Sequence, residues 1–354
     1  MSRFLNSRLA RLSPYTPGEQ PRDMARLIKL NTNENPYPPG PLVQQALAQA
    51  RTEDLARYPD PECTGLCQAA AQLYGLEPSQ VLAGNGSDEL LAFCFQAFGG
   101  SGICTPELGY GFYPVFADLY GAALETLALN PDFTLSPSLF RGKKQTLLLA
   151  NPNAPTGLWL DMGQIRALLE QDRQRLLILD EAYGDFAPAT ALPLLAGYDN
   201  LLLIRTLSKA YSLAGARLGL ALGSPALISD LKLIQYSFNP YNVNRISQAL
   251  GAAALQDQAY FQRCRNRILA SREKLRQGLL ELGFSVPPSA ANFLLAGAQP
   301  KISGQAYSLA LRERQILVRH FPEKRVADYV RISIGREAEM AALLQATENI
   351  LEAR

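Results

Sequence analysis

The sequence predicts an α/β protein built on a mostly parallel central sheet flanked by helices. Three observations carry this. Apolar runs without polar alternation recur at Gln145–Ala150, Leu176–Leu179 and Leu201–Arg205, as expected of strands covered on both faces. Between them lie segments with apolar residues at helical spacing, such as Met162–Gln171 with Ile165, Leu168 and Leu169 on one face. After Gly283 the pattern changes to shorter strands and a final helix, so a smaller α+β unit is expected behind the large one.

Taken in order, residues 1–28 are polar, carry Pro14, Pro17 and Pro21, and read as an extended arm. Leu30–Pro41 holds four prolines and three asparagines, which excludes a long helix or strand. Pro41–Arg51 reads as a helix, and Cys63–Tyr74 as a second one ended by Gly75. Val81–Ala83 is a short strand, Ser87–Phe98 a helix, Gly102–Cys104 a strand and Tyr113–Tyr120 a helix. The strand at Gln145–Ala150 precedes a helix over Met162–Gln171, capped by Asp161. Leu218–Leu222 follows Leu201–Arg205 so closely that an antiparallel course is expected. Pro225–Tyr236 and Ile246–Leu282 read as long helices. Strands at Phe293–Ala296, Ile316–Arg319 and Tyr329–Ile334 and a helix over Glu337–Ala353 complete the chain. The expected division is an arm over residues 1–40, a large unit over 41–245 and a smaller one over 246–354.

Composition narrows the function. A formal charge of +2 on 354 residues, with Lys and Arg dispersed, predicts no attraction to nucleic acid or acidic membranes. No apolar run reaches the ~18 residues of a membrane span. The Arg-rich start lacks the apolar core of a secretory signal, so a cytoplasmic location is expected. The five cysteines have no zinc-ligand spacing and read as incidental thiols of a reducing compartment. His320 is the only histidine. A multi-histidine metal site is therefore impossible, and no G-x-S-x-G elbow accompanies it for a hydrolase triad. No metal is expected.

Ligands of open α/β sheets bind at the carboxyl ends of the strands, and here those ends carry pointed chemistry. They read Gly84-Asn85-Gly86-Ser87-Asp88-Glu89, then Asn151-Pro152-Asn153-Ala154-Pro155-Thr156-Gly157, then Asp180-Glu181-Ala182-Tyr183, then Thr206-Leu207-Ser208-Lys209, with Arg217 eight residues past the lysine. Singly, such residues are turn formers and caps. Together they match what pyridoxal phosphate requires. Lys209 supplies the imine amine and proton carrier. Asp180 supplies the carboxylate that keeps a pyridine nitrogen protonated. The helix start at Gly86, Ser87 and Asp88, with Thr206, Ser208 and Arg217, supplies the phosphate donors. Asn153 and Tyr183 can donate to the ring oxygen, and Tyr110 can stack on the ring, with Tyr113 as the rival.

The chain resembles the fold-type I PLP-dependent aminotransferases. The resemblance is carried by LNTNENPYPPGP, RYPDPE, GNGSDE, YGFYPVF, NPNAPTG, LDEAYGDF, RTLSKAYSLAGARLG, PYNVN, NFLLA and ILVRHF…VRISIGR, from about residue 30 to 336. The first of these and PYNVN point to the histidinol-phosphate branch of that family. The resemblance implies Lys209, Asp180 and Tyr183 as catalytic residues. It implies Arg331 as the fork for the α-carboxylate of glutamate, and Arg319, Tyr15 and Asn33 as further substrate contacts. Tyr58 would reach the cofactor phosphate of a neighbouring subunit, making the active unit a homodimer. The implied reaction converts imidazole acetol phosphate and L-glutamate to L-histidinol phosphate and 2-oxoglutarate. An aromatic amino-acid transaminase, a threonine-phosphate decarboxylase and a non-catalytic regulatory module on the same scaffold remain alternatives. Ala154 and Gly184 depart from the family pattern at positions without side-chain chemistry.

Overall fold

The computed structural model describes residues 2–7, 9–21, 27–297 and 299–353. Part of the arm read from the sequence, residues 22–26, lies outside the described residues. In chain order the elements are β1 (Ile28–Lys29), α1 (Pro41–Ala48), α2 (Thr64–Tyr74), β2 (Val81–Asn85), α3 (Ser87–Phe98), β3 (Ile103–Pro106), α4 (Phe112–Tyr120), β4 (Leu124–Leu127), β5 (Thr146–Ala150), α5 (Met162–Gln171), β6 (Leu177–Asp180), β7 (Leu201–Thr206) and β8 (Leu218–Gly223). They continue with α6 (Pro225–Phe238), α7 (Arg245–Gln256), α8 (Gln258–Glu281), β9 (Phe293–Gly297), α9 (Gly304–Glu313), β10 (Ile316–Leu317), β11 (Arg319–His320), β12 (Tyr329–Ser333) and α10 (Glu337–Glu352).

Among the described residues the main sheet has seven strands in the order β2-β8-β7-β6-β5-β3-β4. Strands β3 to β7 pair in parallel, while β8 runs antiparallel to both neighbours, as its short connection requires. The apolar runs of β5 to β7 divide between two cores with the strand period of two. Leu147, Leu149, Leu177, Leu179, Leu201 and Leu203 face one core with α2, α5 and α7. Leu148, Ile178, Leu202 and Ile204 face the other, against Leu90, Phe93, Phe116, Ile228 and Leu231 of α3, α4 and α6. Each fully buried Leu or Ile contributes about 1.5–3 kcal/mol, so these strands are a rigid floor for whatever their ends carry.

Order β9-β12-β11 forms a separate three-stranded antiparallel sheet, and β1 pairs in parallel with β10. The latter ladder ties the start of the chain to its C-terminal part. Just past β1, Leu30 N–H donates to Leu317 O at 2.8 Å and Leu30 O accepts from Ser333 N–H of β12 at 2.9 Å.

Several expectations are corrected. The helix read over Ile246–Leu282 is two helices, parted at Asp257. Asp257 sits at φ −86°, ψ 55° and its Oδ1 accepts from Tyr260 N–H at 3.4 Å, capping α8. Its other oxygen accepts from Leu42 N–H at 3.3 Å, so one carboxylate serves the first turns of two helices. The first helix stops at Ala48, three residues short of the expected Arg51, and a 3-10 turn over Thr52–Ala56 follows it. Ile316–Arg319 is two short strands rather than one, and α9, β1 and β4 were not anticipated. Ser303 caps α9 through Ala306 N–H, and Tyr307 and Leu311, one turn apart, bury its inner face.

Candidate active site

Register brings the strand ends level. Ala150 pairs with Asp180, and Asp180 with Ile204. Because β8 runs the other way, its start lies beside the ends of two strands: Gly219 pairs with Thr206 on one side and with Gly84 on the other. The segments after β2 and β7 and before β8 therefore converge on one spot. Farther along the same sheet edge, between β5 and β3, the chain leaves β3 outward for β4 and leaves β5 inward for β6. Such a change of direction opens a crevice in α/β sheets.

At the point of convergence lies a cup of donors. Gly86, at φ 83°, precedes the first turn of α3, whose N–H groups at Ser87 and Asp88 have no intrahelical acceptor. Arg217 is in the left-handed region at φ 53°, which bulky residues rarely adopt. Its Nη2 donates to Asp88 Oδ2 at 3.1 Å. Thr206 and Ser208 are buried. The Thr206 oxygen accepts from Ser208 N–H at 3.1 Å and lies 2.9 Å from Ser208 Oγ. A Cβ on Gly219 would come within 2.5 Å of Ser87 N, and one on Gly86 within 2.5 Å of Arg217 Nη2. Glycine at both positions keeps the cup open.

Asp180 lies at the end of β6, 4 % exposed. Its Oδ1 accepts from Ala182 N–H at 3.1 Å and its Oδ2 from the Tyr113 hydroxyl at 2.9 Å. Burial pushes its carboxyl up to about 6, against the lowering effect of the Tyr113 hydrogen bond. Tyr113 itself is 1 % exposed, with its hydroxyl committed to Asp180. Tyr110 is less buried, stands edge-on to Tyr113 at 5.8 Å, and donates its hydroxyl to Asp88 Oδ1 at 2.8 Å.

Lys209 Nζ donates to Thr32 O at 3.1 Å and lies 5.8 Å from the centre of the Tyr183 ring. The Tyr183 oxygen accepts from Asn33 Nδ2 at 2.8 Å, and its ring stands edge-on to Phe293 at 5.0 Å. Asn153 Nδ2 donates to Thr156 Oγ1 at 2.9 Å, inside a loop with cis peptides before Pro152 and Pro155. Asn33 is fully buried at φ 57°. Its N–H donates to Ser333 Oγ at 2.8 Å and its carbonyl accepts from Asn292 Nδ2 at 3.0 Å.

Arg319 and Arg331 face each other across the β11–β12 ladder. Like charges opposed on a sheet are unfavourable, and a bound anion would offset that repulsion. Arg331 Nη2 donates to Asn31 O at 3.1 Å, and its guanidinium lies 5.4 Å from both the Phe293 and Phe321 rings. Its Nε is buried without a partner. Burial lowers the pKa of Arg331, and its electrostatic neighbours are Tyr183, Tyr15, Arg319 and Tyr110. The Tyr15 ring stacks on Phe112 at 4.4 Å and lies 6.2 Å from Tyr110, while Arg319 Nη2 donates to Thr16 O at 3.4 Å.

Three successive residues thus join the two halves of the site: Asn31 contacts Arg331, Thr32 contacts Lys209 and Asn33 contacts Tyr183. Tyr58 stands apart. It is 76 % exposed, stacks on Tyr241 at 4.5 Å, and accepts through its carbonyl from Arg245. The sequence reading assigned no role to Asn292, Ser333 or Thr32, and offered Tyr113 only as a stacking ring. Thr32, Asn292 and Ser333 lie inside the quoted LNTNENPYPPGP, NFLLA and VRISIGR stretches, but nothing local in the sequence announces the contacts they make.

Pyridoxal phosphate fits these residues. The cup is roofed by glycines where any Cβ would intrude, lined by backbone, hydroxyl and guanidinium donors, and flanked by a buried carboxylate and a lysine amine. A family model described as aminotransferase class I and II matches residues 25–346, and the fold and site define that class. The histidinol-phosphate aminotransferase of Chromohalobacter salexigens is 46% identical over 352 residues, covering 99% of each chain. That of Pseudomonas syringae is 42% identical over 352 residues, covering 99% of this chain and 100% of its own. The solved histidinol-phosphate aminotransferase of Sinorhizobium meliloti, in complex with pyridoxal-5'-phosphate, superposes with a TM-score of 0.82 at 29% identity, covering 92% of this chain and 91% of that one. The chain belongs to the histidinol-phosphate aminotransferases of class I and II.

Proposed function

We propose that this chain is a pyridoxal-phosphate-dependent aminotransferase that converts imidazole acetol phosphate and L-glutamate to L-histidinol phosphate and 2-oxoglutarate. The observation that carries the substrate assignment is the opposed pair Arg319 and Arg331, stitched through residues 31–33 to Lys209 and Tyr183. One substrate brings a carboxylate and the other a phosphate, and guanidinium groups take both through paired N–H donors.

The bound cofactor supplies an aldehyde carbon that accepts the amino group and a pyridine ring that draws off electron density from the substrate Cα. Lys209 Nζ is the covalent anchor and carries the proton to and from that Cα. Asp180 accepts from the ring nitrogen and keeps it protonated. Tyr183 and Asn153 hold the ring oxygen, and Asn33 orients the Tyr183 hydroxyl. Tyr110 covers the ring face. Gly86, Ser87, Asp88, Thr206, Ser208 and Arg217 bind the phosphate. Arg331 forks the carboxylate, while Arg319 and Tyr15 take the substrate phosphate. In this reading residues 41–245 hold the cofactor, and 1–40 and 246–354 supply the substrate contacts.

The chain acts as a homodimer in the cytoplasm. Exposed Tyr58 and Tyr241, stacked on each other, and exposed Leu233 and Phe238 of α6 are apolar groups suited to contact with a second copy, and in this reading Tyr58 reaches the partner's site. The five described cysteines are free and buried, which suits a reducing compartment. Among the described residues no helix is long and apolar enough to cross a membrane.

A half-reaction screen tests the assignment. Purified holoenzyme is mixed in turn with histidinol phosphate, glutamate, phenylalanine and threonine phosphate, and conversion of the bound cofactor to its amine form is followed by absorbance. Fastest conversion by histidinol phosphate, with glutamate also active, is the expected result. Faster reaction with phenylalanine, or release of CO₂ from threonine phosphate, refutes it. Sedimentation of the same preparation as a single chain refutes the dimer.

A further inference from the structure

A continuous line of contacts runs across the floor of the site. Asp180 Oδ2 accepts from Tyr113 at 2.9 Å, the Tyr113 ring meets Tyr110 edge-on, Tyr110 donates to Asp88 Oδ1 at 2.8 Å, and Asp88 Oδ2 accepts from Arg217 at 3.1 Å. Its ends are the group read as holding the ring nitrogen and the group read as holding the phosphate; the ring-stacking tyrosine lies between. Its least exposed member, Tyr113, touches neither the substrate arginines nor Lys209.

We propose that Tyr113 is a positioning residue of the reaction, fixing the Asp180 carboxylate through its hydroxyl and the plane of Tyr110 through its ring edge. The proposal rests on the reading that Asp180 faces the cofactor's ring nitrogen.

The geometry of the carboxylate carries the argument. An ionised carboxylate has two acceptor oxygens with about four lone-pair directions. Here Ala182 N–H holds Oδ1 and the Tyr113 hydroxyl holds Oδ2. One direction on each oxygen stays free for the cofactor, and rotation of the group is stopped. The other ionisable groups that face Asp180 are Asp88 and Cys94 from α3, and Glu181 next along the chain. The carboxylates among them oppose its ionisation, and Tyr113 is the side chain that favours it. A buried carboxylate with one donor fewer takes a proton more readily. Without the hydroxyl, the proton shared between ring and carboxylate moves toward Asp180, and the ring draws off electrons less well.

Tyr113→Phe keeps the ring and removes only the hydroxyl. The expected result is a fall in kcat of about tenfold, the scale of one hydrogen bond to a charged group. The KM for glutamate stays within about twofold of wild type, since ground-state binding is untouched. The absorbance titration of the bound cofactor moves in pH, a change that a lowered melt of the cofactor-free chain would not by itself produce. Tyr113→Leu removes the ring as well and is expected to weaken, in addition, the circular dichroism induced in the cofactor band by its fixed aromatic neighbour. An unchanged titration and kcat in Tyr113→Phe overturns the proposal, as does a loss that appears only as a lowered melt. Asp180→Asn is the control for the reading beneath it. If Asp180→Asn keeps wild-type turnover, that reading fails; if Asp180→Asn is inactive and Tyr113→Phe is normal, only the role of Tyr113 fails.

Discussion

Lys209→Ala is expected to lose transamination by roughly 10³-fold or more, because one side chain serves both as covalent anchor and as proton carrier. Its position allows both roles. Lys209 follows Thr206, whose strand is buried along its whole length and hydrogen-bonded on both sides, so the backbone at the lysine is fixed while the amine moves on four methylenes. In the present structure Nζ rests on Thr32 O at 3.1 Å, a weak neutral acceptor that holds the amine in the crevice. The check is mass spectrometry after borohydride reduction of the holoenzyme. Wild type gains the mass of one reduced cofactor and Lys209→Ala gains none. Turnover near the wild-type rate in the variant removes Lys209 from the chemistry.

Arg331→Ala is expected to weaken glutamate by about 2–3 kcal/mol, or roughly 30- to 150-fold in affinity, as for loss of a charge-assisted pair. The structure makes the loss selective. Among the described residues the Arg331 Nε is buried without a partner, and Nη2 is engaged by Asn31 O. Donor capacity is therefore present that the protein does not use for itself. Opposite stands Arg319, whose charge works against folding and in favour of an anion between the two. The measurement is the half-reaction with glutamate against that with a simple alkylamine. The preference for glutamate should collapse while the alkylamine rate changes little. Unchanged glutamate kinetics would exclude Arg331 from carboxylate binding.

Local chemistry made much of this legible in advance. Helix α5 was marked by Asp161, whose carboxylate accepts from Gln164 N–H at 2.8 Å, and by three apolar residues on one face. The continuous apolar runs of β5 to β7 could only belong to a sheet covered twice, and the polar residues at their ends had to gather at one edge. What escaped was set by distant contacts. No glycine or proline marks the break at Asp257, because an acidic side chain does the capping there, shared with α1. Asn33 owes its left-handed backbone to Ser333 and Asn292, 300 and 259 residues away. Tyr113 was weighed as a ring against the cofactor because an aromatic at that spacing suggests stacking. Its burial instead commits the hydroxyl to Asp180 and sets the ring edge-on to Tyr110.

The cofactor cup is built on the seven-stranded sheet, whereas Arg319 and Arg331 stand on the β9-β12-β11 sheet, which shares no ladder with it. On the proposed reading, a substitution at Arg319 or Arg331 alters which amine donor is accepted while the glycines, hydroxyls and lysine on the other sheet keep their places. Inheritance can act on the two separately. A lineage of such enzymes is free to explore new substrates while the part that performs the chemistry stays constant, and a designer seeking altered preference has the same freedom, with residues 31–33 as the seam to leave untouched.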